Sequence, residues 1–209
     1  MKARIGLMML ILFLMPLANA MGQSGSVLLE EHFTENDRGW NLGDDNDVTR
    51  KIENGKMILE AKKYLNGKGG GYWIKAPDFK LPANNYSVSF TTHWIKNMKT
   101  DDRYSPYGMI LGDYYFLVYA DGERRLLKYN TTEKKYETLV DWGEQSVIMK
   151  KGEGDNKWEI RYQDGKATFY ANGNMLYKKD ASIPEGTFVK LYIENSEMVE
   201  FDDLVVKAL

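Results

Sequence analysis

The sequence predicts an all-β chain built as an antiparallel sandwich, and three observations carry that prediction. A short phrase occurs four times between strand-like runs: an aromatic or branched residue, a spacer, then Asn-Gly or Asp-Gly. The copies are Ile52-Glu53-Asn54-Gly55, Tyr119-Ala120-Asp121-Gly122, Tyr162-Gln163-Asp164-Gly165 and Tyr170-Ala171-Asn172-Gly173. Both dipeptides suit the type I′ turn, whose two central residues need positive φ, so each copy predicts a hairpin. Period-two alternation recurs along the chain while helical periodicity is nearly absent. A dozen or so short runs separated by turns is the pattern of two packed sheets.

The first twenty residues stand outside this pattern. Lys2 and Arg4 precede an apolar stretch from Ile5 to Leu17, and Ala18-Asn19-Ala20 supplies the small-x-small signature of signal peptidase cleavage. That stretch is shorter than the roughly 20 residues that span a bilayer. The expectation is a signal peptide over residues 1–20, removed to leave one domain over 21–209 that is secreted or periplasmic and has no transmembrane anchor. With no Cys in the chain, neither a disulfide nor a lipid-modified Cys is available, and the exported domain depends on its core. Without Lys2 and Arg4 the 28 basic residues become 26, against 30 acidic ones. A mildly acidic domain offers no basic face for phosphates, so nucleic acid is not an expected partner.

Strand-like runs follow near 27–33, 55–61 and 71–76, then over Asn85 to Ile95, where Tyr86, Val88, Phe90 and Trp94 alternate with Ser87, Ser89, Thr91 and His93. Further runs lie near 107–111, 124–129, 136–140 and 145–149. Tyr114-Tyr115-Phe116-Leu117-Val118-Tyr119 is apolar on both faces, as expected of a central strand whose outer surface is also covered or used. Trp158, Ile160 and Tyr162 alternate with Glu159 and Arg161 to open a meander that continues through 167–171 and 174–178. The last runs are 187–194 and 198–206. Long irregular stretches at 34–48, 62–70 and 96–106 are where function is expected, because tight turns leave little room for it.

The order Glu31-His32-Phe33, Gly39-Trp40, Asn54-Gly55-Lys56, Tyr107-Gly108-Met109-Ile110-Leu111, Tyr114-Tyr115-Phe116, Phe169-Tyr170-Ala171-Asn172-Gly173 and Phe201-Asp202-Asp203-Leu204-Val205-Val206 resembles the concanavalin A-like lectin/glucanase superfold. Within it, the chain looks most like exported bacterial domains related to family 16 glycoside hydrolases. The resemblance implies a jelly roll of two packed antiparallel sheets, one concave, with the first strand lying beside the last.

Glycoside hydrolysis needs two opposed carboxylates, which family 16 enzymes carry as Glu-x-Asp-x-x-Glu. The three Glu-x-Asp starts here, at Glu35, Glu153 and Glu200, have Trp40, Trp158 and Val205 where the second Glu belongs. No Gly-x-Ser-x-Gly elbow is present, and His32 and His93 are the only imidazoles, too few for a transition-metal site. No cofactor is expected. Calcium is the metal weighed, at Asp44-Asp45-Asn46-Asp47 or at Asp202-Asp203 beside Glu30-Glu31, because it takes oxygen ligands. Aromatic rings are the remaining handle, since sugars stack their C–H faces on Trp and Tyr. The expected ligand-binding set is Tyr72, Trp73, His93, Trp94, Tyr104 and Tyr107, near the longest loops. The leading expectation is therefore a non-catalytic, exported carbohydrate-binding domain whose partner is a glycan or polysaccharide. A hydrolase drawing its acids from different strands and a protein-interaction module of the cell envelope stay open beside it.

Overall fold

The computed structural model describes residues 25–62, 71–97, 105–119, 121–141, 154–195 and 197–209. The signal-like segment, Tyr104 and the run expected near 145–149 lie outside these residues. Two antiparallel sheets make up the described structure, which contains no helix. The strands are β1 (Val27–Glu31), β2 (Gly43–Asp44), β3 (Val48–Glu53), β4 (Lys56–Ala61), β5 (Gly71–Lys75), β6 (Tyr86–Asn97), β7 (Tyr107–Leu111) and β8 (Tyr114–Val118). They continue as β9 (Arg124–Asn130), β10 (Lys135–Val140), β11 (Asn156–Gln163), β12 (Lys166–Ala171), β13 (Asn174–Asp180), β14 (Val189–Glu194) and β15 (Glu197–Ala208).

The larger sheet runs β13-β12-β11-β6-β15-β4-β3-β2, and the smaller runs β10-β9-β8-β7-β14-β5. One edge of β15 serves two partners: β4 pairs with Met198 to Phe201, and β1 pairs with Leu204 to Lys207. First and last strands therefore lie side by side, in the register Val27 to Lys207 and Glu31 to Leu204.

Three of the four Asn/Asp-Gly turns have the expected geometry, with both residues at positive φ: Asn54 at 53° and Gly55 at 73°, Asp164 at 50° and Gly165 at 69°, Asn172 at 49° and Gly173 at 81°. The fourth differs. Asp121 is outside the positive region while Gly122 has φ 95°, and the turn closes through Gly122 N–H donating to the Tyr119 carbonyl.

The core lies between the sheets. Tyr86, Val88 and Phe90 of β6 and Trp158 and Ile160 of β11 face Phe116 of β8 and Leu191 of β14, all buried. Rings carry much of this contact: Trp158 stacks on Phe169 at 5.7 Å, and Phe169 meets Phe116 across the layers at 5.7 Å. Full burial of each such side chain is worth about 1.5–3 kcal/mol, which is how a chain without Cys is held. The Trp158 indole N–H donates to Thr92 Oγ1 at 2.7 Å, so its one polar atom is satisfied inside.

Candidate functional site

Alternation along the smaller sheet sends Tyr114, Phe116 and Val118 of β8 into the core and Tyr115 and Leu117 outward. On β14 the same rule buries Val189, Leu191 and Ile193 and turns Lys190, Tyr192 and Glu194 to the outer face. Outward residues of neighbouring strands then align by register. Trp73 of β5 is the partner of Tyr192, Tyr192 of Gly108, Gly108 of Leu117, and Leu117 of Arg125. Gly108 puts no side chain into the middle of that row.

A cleft of about 310 Å³ occupies this face, lined by Tyr115, Leu117, Tyr119, Leu127, Tyr136 and Tyr192, with Pro106, Thr138, Arg125 and Glu194 at its margins. Tyr115 sits at its centre, meeting Tyr136 edge-on at 5.2 Å and Tyr192 edge-on at 5.6 Å. Ile110, Leu117 and Tyr192, with Tyr115 and Leu127 against them, form an apolar cluster separate from the main core. Burial pushes the Tyr119 phenol up to about 12 and raises those of Tyr115 and Tyr192 further, so all three are neutral hydrogen-bonding groups at physiological pH.

The charged margin is small. The Tyr192 hydroxyl donates to Glu194 Oε2 at 3.4 Å, and Asn195 Nδ2 donates to Oε1 at 3.4 Å. Burial raises the Glu194 carboxyl above its ordinary range, while the Tyr192 hydrogen bond and the Arg125 charge pull it back. Arg125 Nη2 donates to Thr138 Oγ1 at 3.3 Å, and its Nε lies 3.8 Å from Asp141. Among the described residues lining the cleft, Glu194 is the one carboxylate.

Of the residues expected from sequence, Trp73 is the one the structure sets on this face, 49% exposed. Its neighbour Tyr72 points the other way and packs against the core. Tyr107 is buried, 1% exposed and hydrogen-bonded to Thr92, so it supports the sheet from inside and presents nothing to a ligand on the outer face. Trp94 also turns inward, where its indole N–H donates to buried Glu197. His93 stands on the outer face of the larger sheet, with Nδ1 2.8 Å from Asp155. The expected set therefore divides among the core and two opposite surfaces. Tyr115, Tyr136, Tyr192, Arg125 and Glu194 were missed, although the doubly apolar Tyr114 to Tyr119 run and the alternation over 187–194 held the signal.

Both acidic clusters weighed for calcium are engaged within the chain. Asp45 Oδ1 accepts the Asp47 and Val48 N–H groups at 2.8 and 2.9 Å, Asp45 pairs with Arg50, and Lys62 reaches both the Asp44 carboxylate and the Asp45 carbonyl. At the other cluster His32 Nδ1 lies 2.9 Å from Asp203 and Nε2 3.3 Å from Glu30, and the Asp203 hydrogen bond is the main cause of a raised His32 pKa. His32, Asp202 and Asp203 bring ligand-type atoms within 4.8 Å of one another on an exposed surface.

The sequence matches no protein-family model and no curated protein. Solved structures do share the architecture. One from work on endo-acting O-glycanases with which human gut microbiota initiate mucin breakdown superposes with a TM-score of 0.61 at 10% identity, over 88% of this chain and 100% of that one. The catalytic domain of an endo-1,3-β-glucanase (laminarinase) from Thermotoga petrophila gives 0.59 at 10% identity, over 88% and 98%. The binding domain of botulinum neurotoxin serotype D gives 0.54 at 14% identity over 88% of this chain and 48% of that one, so the chain spans about half its length. At such identities the likeness defines the fold, and that fold is the concanavalin A-like jelly-roll sandwich.

Proposed function

We propose that this chain is an exported carbohydrate-binding domain that takes a glycan on the outer face of the smaller sheet without cleaving it. The observation that carries the reading is the lining of the cleft: Tyr115 and Tyr136 offer ring surface and hydroxyls, Tyr192 is packed edge-on beside Tyr115, and Glu194 is the one carboxylate among the described residues there. Sugar C–H faces stack on such rings while the hydroxyls bond the sugar's edge. Hydrolysis by general acid and base would call for a second, opposed carboxylate. Structures of the same fold named for a laminarinase and for O-glycanases agree with a saccharide as the ligand class.

Calorimetric titration against a panel of oligosaccharides tests this. A binder should emerge, and Tyr115→Ala and Tyr192→Ala should each weaken it roughly tenfold, the loss of one aromatic contact, with the circular dichroism spectrum unchanged. Binding that ignores both substitutions would move the site elsewhere. Release of new reducing ends from the bound glycan would make the protein a hydrolase instead.

A further inference from the structure

The β5–β14 end of the same face breaks a rule of sheet pairing. Lys75 and Lys190 are direct register partners, and alternation brings both side chains to the outer surface. Like charges directly opposite one another weaken an antiparallel pair. Neither lysine is relieved by an acid: Lys190 Nζ lies 4.7 Å from the centroid of Trp73, and Lys75 Nζ lies 4.5 Å from that of Phe188. Lys80 approaches the Phe188 ring as well, at 5.6 Å. Among the described residues no carboxylate forms an ion pair with any of the three. In a chain with formal charge −2, three cations around two aromatic rings, with no acid paired to them among the described residues, are a local inversion of sign. Two like charges held opposite each other, each on a ring face and with no acid beside it among the described residues, are expected where an anion is to be taken.

We propose that this corner is an anion subsite, and that the glycan is an acidic polysaccharide whose carboxylate or sulfate lies between Lys75 and Lys190 while a sugar ring rests against Trp73. The inference rests on the reading that the outer face binds glycan. Continuity with the cleft favours it: Trp73 pairs with Tyr192, and the row from β5 to β9 crosses four interstrand spacings, about 19 Å. One oligosaccharide can therefore reach both ends. A neutral glycan would leave the two opposed ammonium groups without a counter-charge, whereas an anion joins them. Lysine, a compact charge on a flexible stem, accepts either oxyanion without a fixed fork geometry.

The test titrates the full-length domain with an oligouronate, a sulfated galactan oligosaccharide, a neutral β-glucan oligosaccharide and phosphatidylserine vesicles, at low and high salt. At least one of the two acidic glycans should bind tighter than the neutral one, and the preference should fade at high salt. Lys75→Gln with Lys190→Gln should lower the acidic glycan's affinity roughly tenfold and leave the neutral one unchanged. Lys178→Gln with Lys179→Gln, which removes as much charge from the larger sheet, should change neither. Removing one of the opposed charges should also raise the thermal midpoint of the free protein. Equal affinity for neutral and acidic glycans, lost together in Tyr115→Ala, overturns the acidic ligand and leaves the glycan site standing. No glycan bound at all, or binding to vesicles alone, overturns both.

Discussion

Two buried glutamates do similar work at opposite ends of the chain, and they differ in one partner. Glu31 accepts the Trp40 indole N–H at 2.9 Å and the Phe33 backbone N–H at 2.8 Å, and Arg38 stands 3.2 Å away to balance its charge. Glu197 accepts the Trp94 indole N–H and the Ser105 backbone N–H at 2.8 Å with no cation among its described partners, and burial pushes it up to about 7. Its folded-state pKa lies above its ordinary value, so the stability tied to its proton is present in full below about pH 4.5 and is lost as pH rises to about 7. The loss is on the order of 3 kcal/mol. Denaturant midpoints should fall across that window and fall less steeply in Glu197→Gln, where Glu194 and Asp202 still carry raised carboxyls; equal slopes in the two proteins would show that Glu197 is ionised throughout. His32 is shifted in the same direction but is exposed, so screening leaves it a small part of the slope. The same residues mark where sequence reading stopped. Trp94 shares the apolar face of Tyr86, Val88 and Phe90, so alternation already points it inward, and it was its place beside a long loop that suggested a ligand contact.

At the scale of the strand, two glycines decide different things. Gly108 has φ +150°, and a Cβ there would fall 2.1 Å from the Phe116 carbonyl oxygen on the paired strand β8. A backbone neighbour cannot step aside, so Gly108→Ala should destabilise the domain by more than about 2 kcal/mol, read as a lowered urea midpoint. At Gly71 the Cβ would fall 2.2 Å from the Tyr192 hydroxyl and ring, the far end of a side chain that can rotate. Gly71→Ala should therefore leave the midpoint nearly in place and displace Tyr192 from the cleft, weakening glycan binding. If the two variants lose stability alike, Gly71 is structural and Tyr192 is fixed by more than this contact. Strand identity was largely legible because it rests on local alternation and turn chemistry: β6, β11 and the Asn172-Gly173 hairpin lie where the pattern puts them. β2 and β3 were hidden inside and beyond a polar stretch expected as loop, since their pairing depends on the Asp45 turn and on Lys62 from across the sheet.

For the whole molecule, the order of strands is long-range information. β15 is joined by β6, β4 and β1, segments far apart in sequence, and no local pattern specifies that arrangement. It was legible through the resemblance, which carried the pairing of first and last strands, while the cleft was not, because it is assembled from alternate residues of β8, β9, β10 and β14 with Pro106 and Tyr119 beside them. That terminal pairing has a consequence for topology as such. Ala208 N–H donates to the Ser26 carbonyl at 2.9 Å, so the two ends of the described chain meet on one edge of one strand. A short glycine-serine bridge from Leu209 to Gly25 would close the polypeptide into a ring, and a new opening cut at Asn172-Gly173 would give a permutant with the same neighbours in both sheets. Such a permutant should keep the parent's circular dichroism and cooperative unfolding. The start and finish of this fold are thus a seam rather than a boundary, and the sandwich is a closed circuit that happens to be opened there.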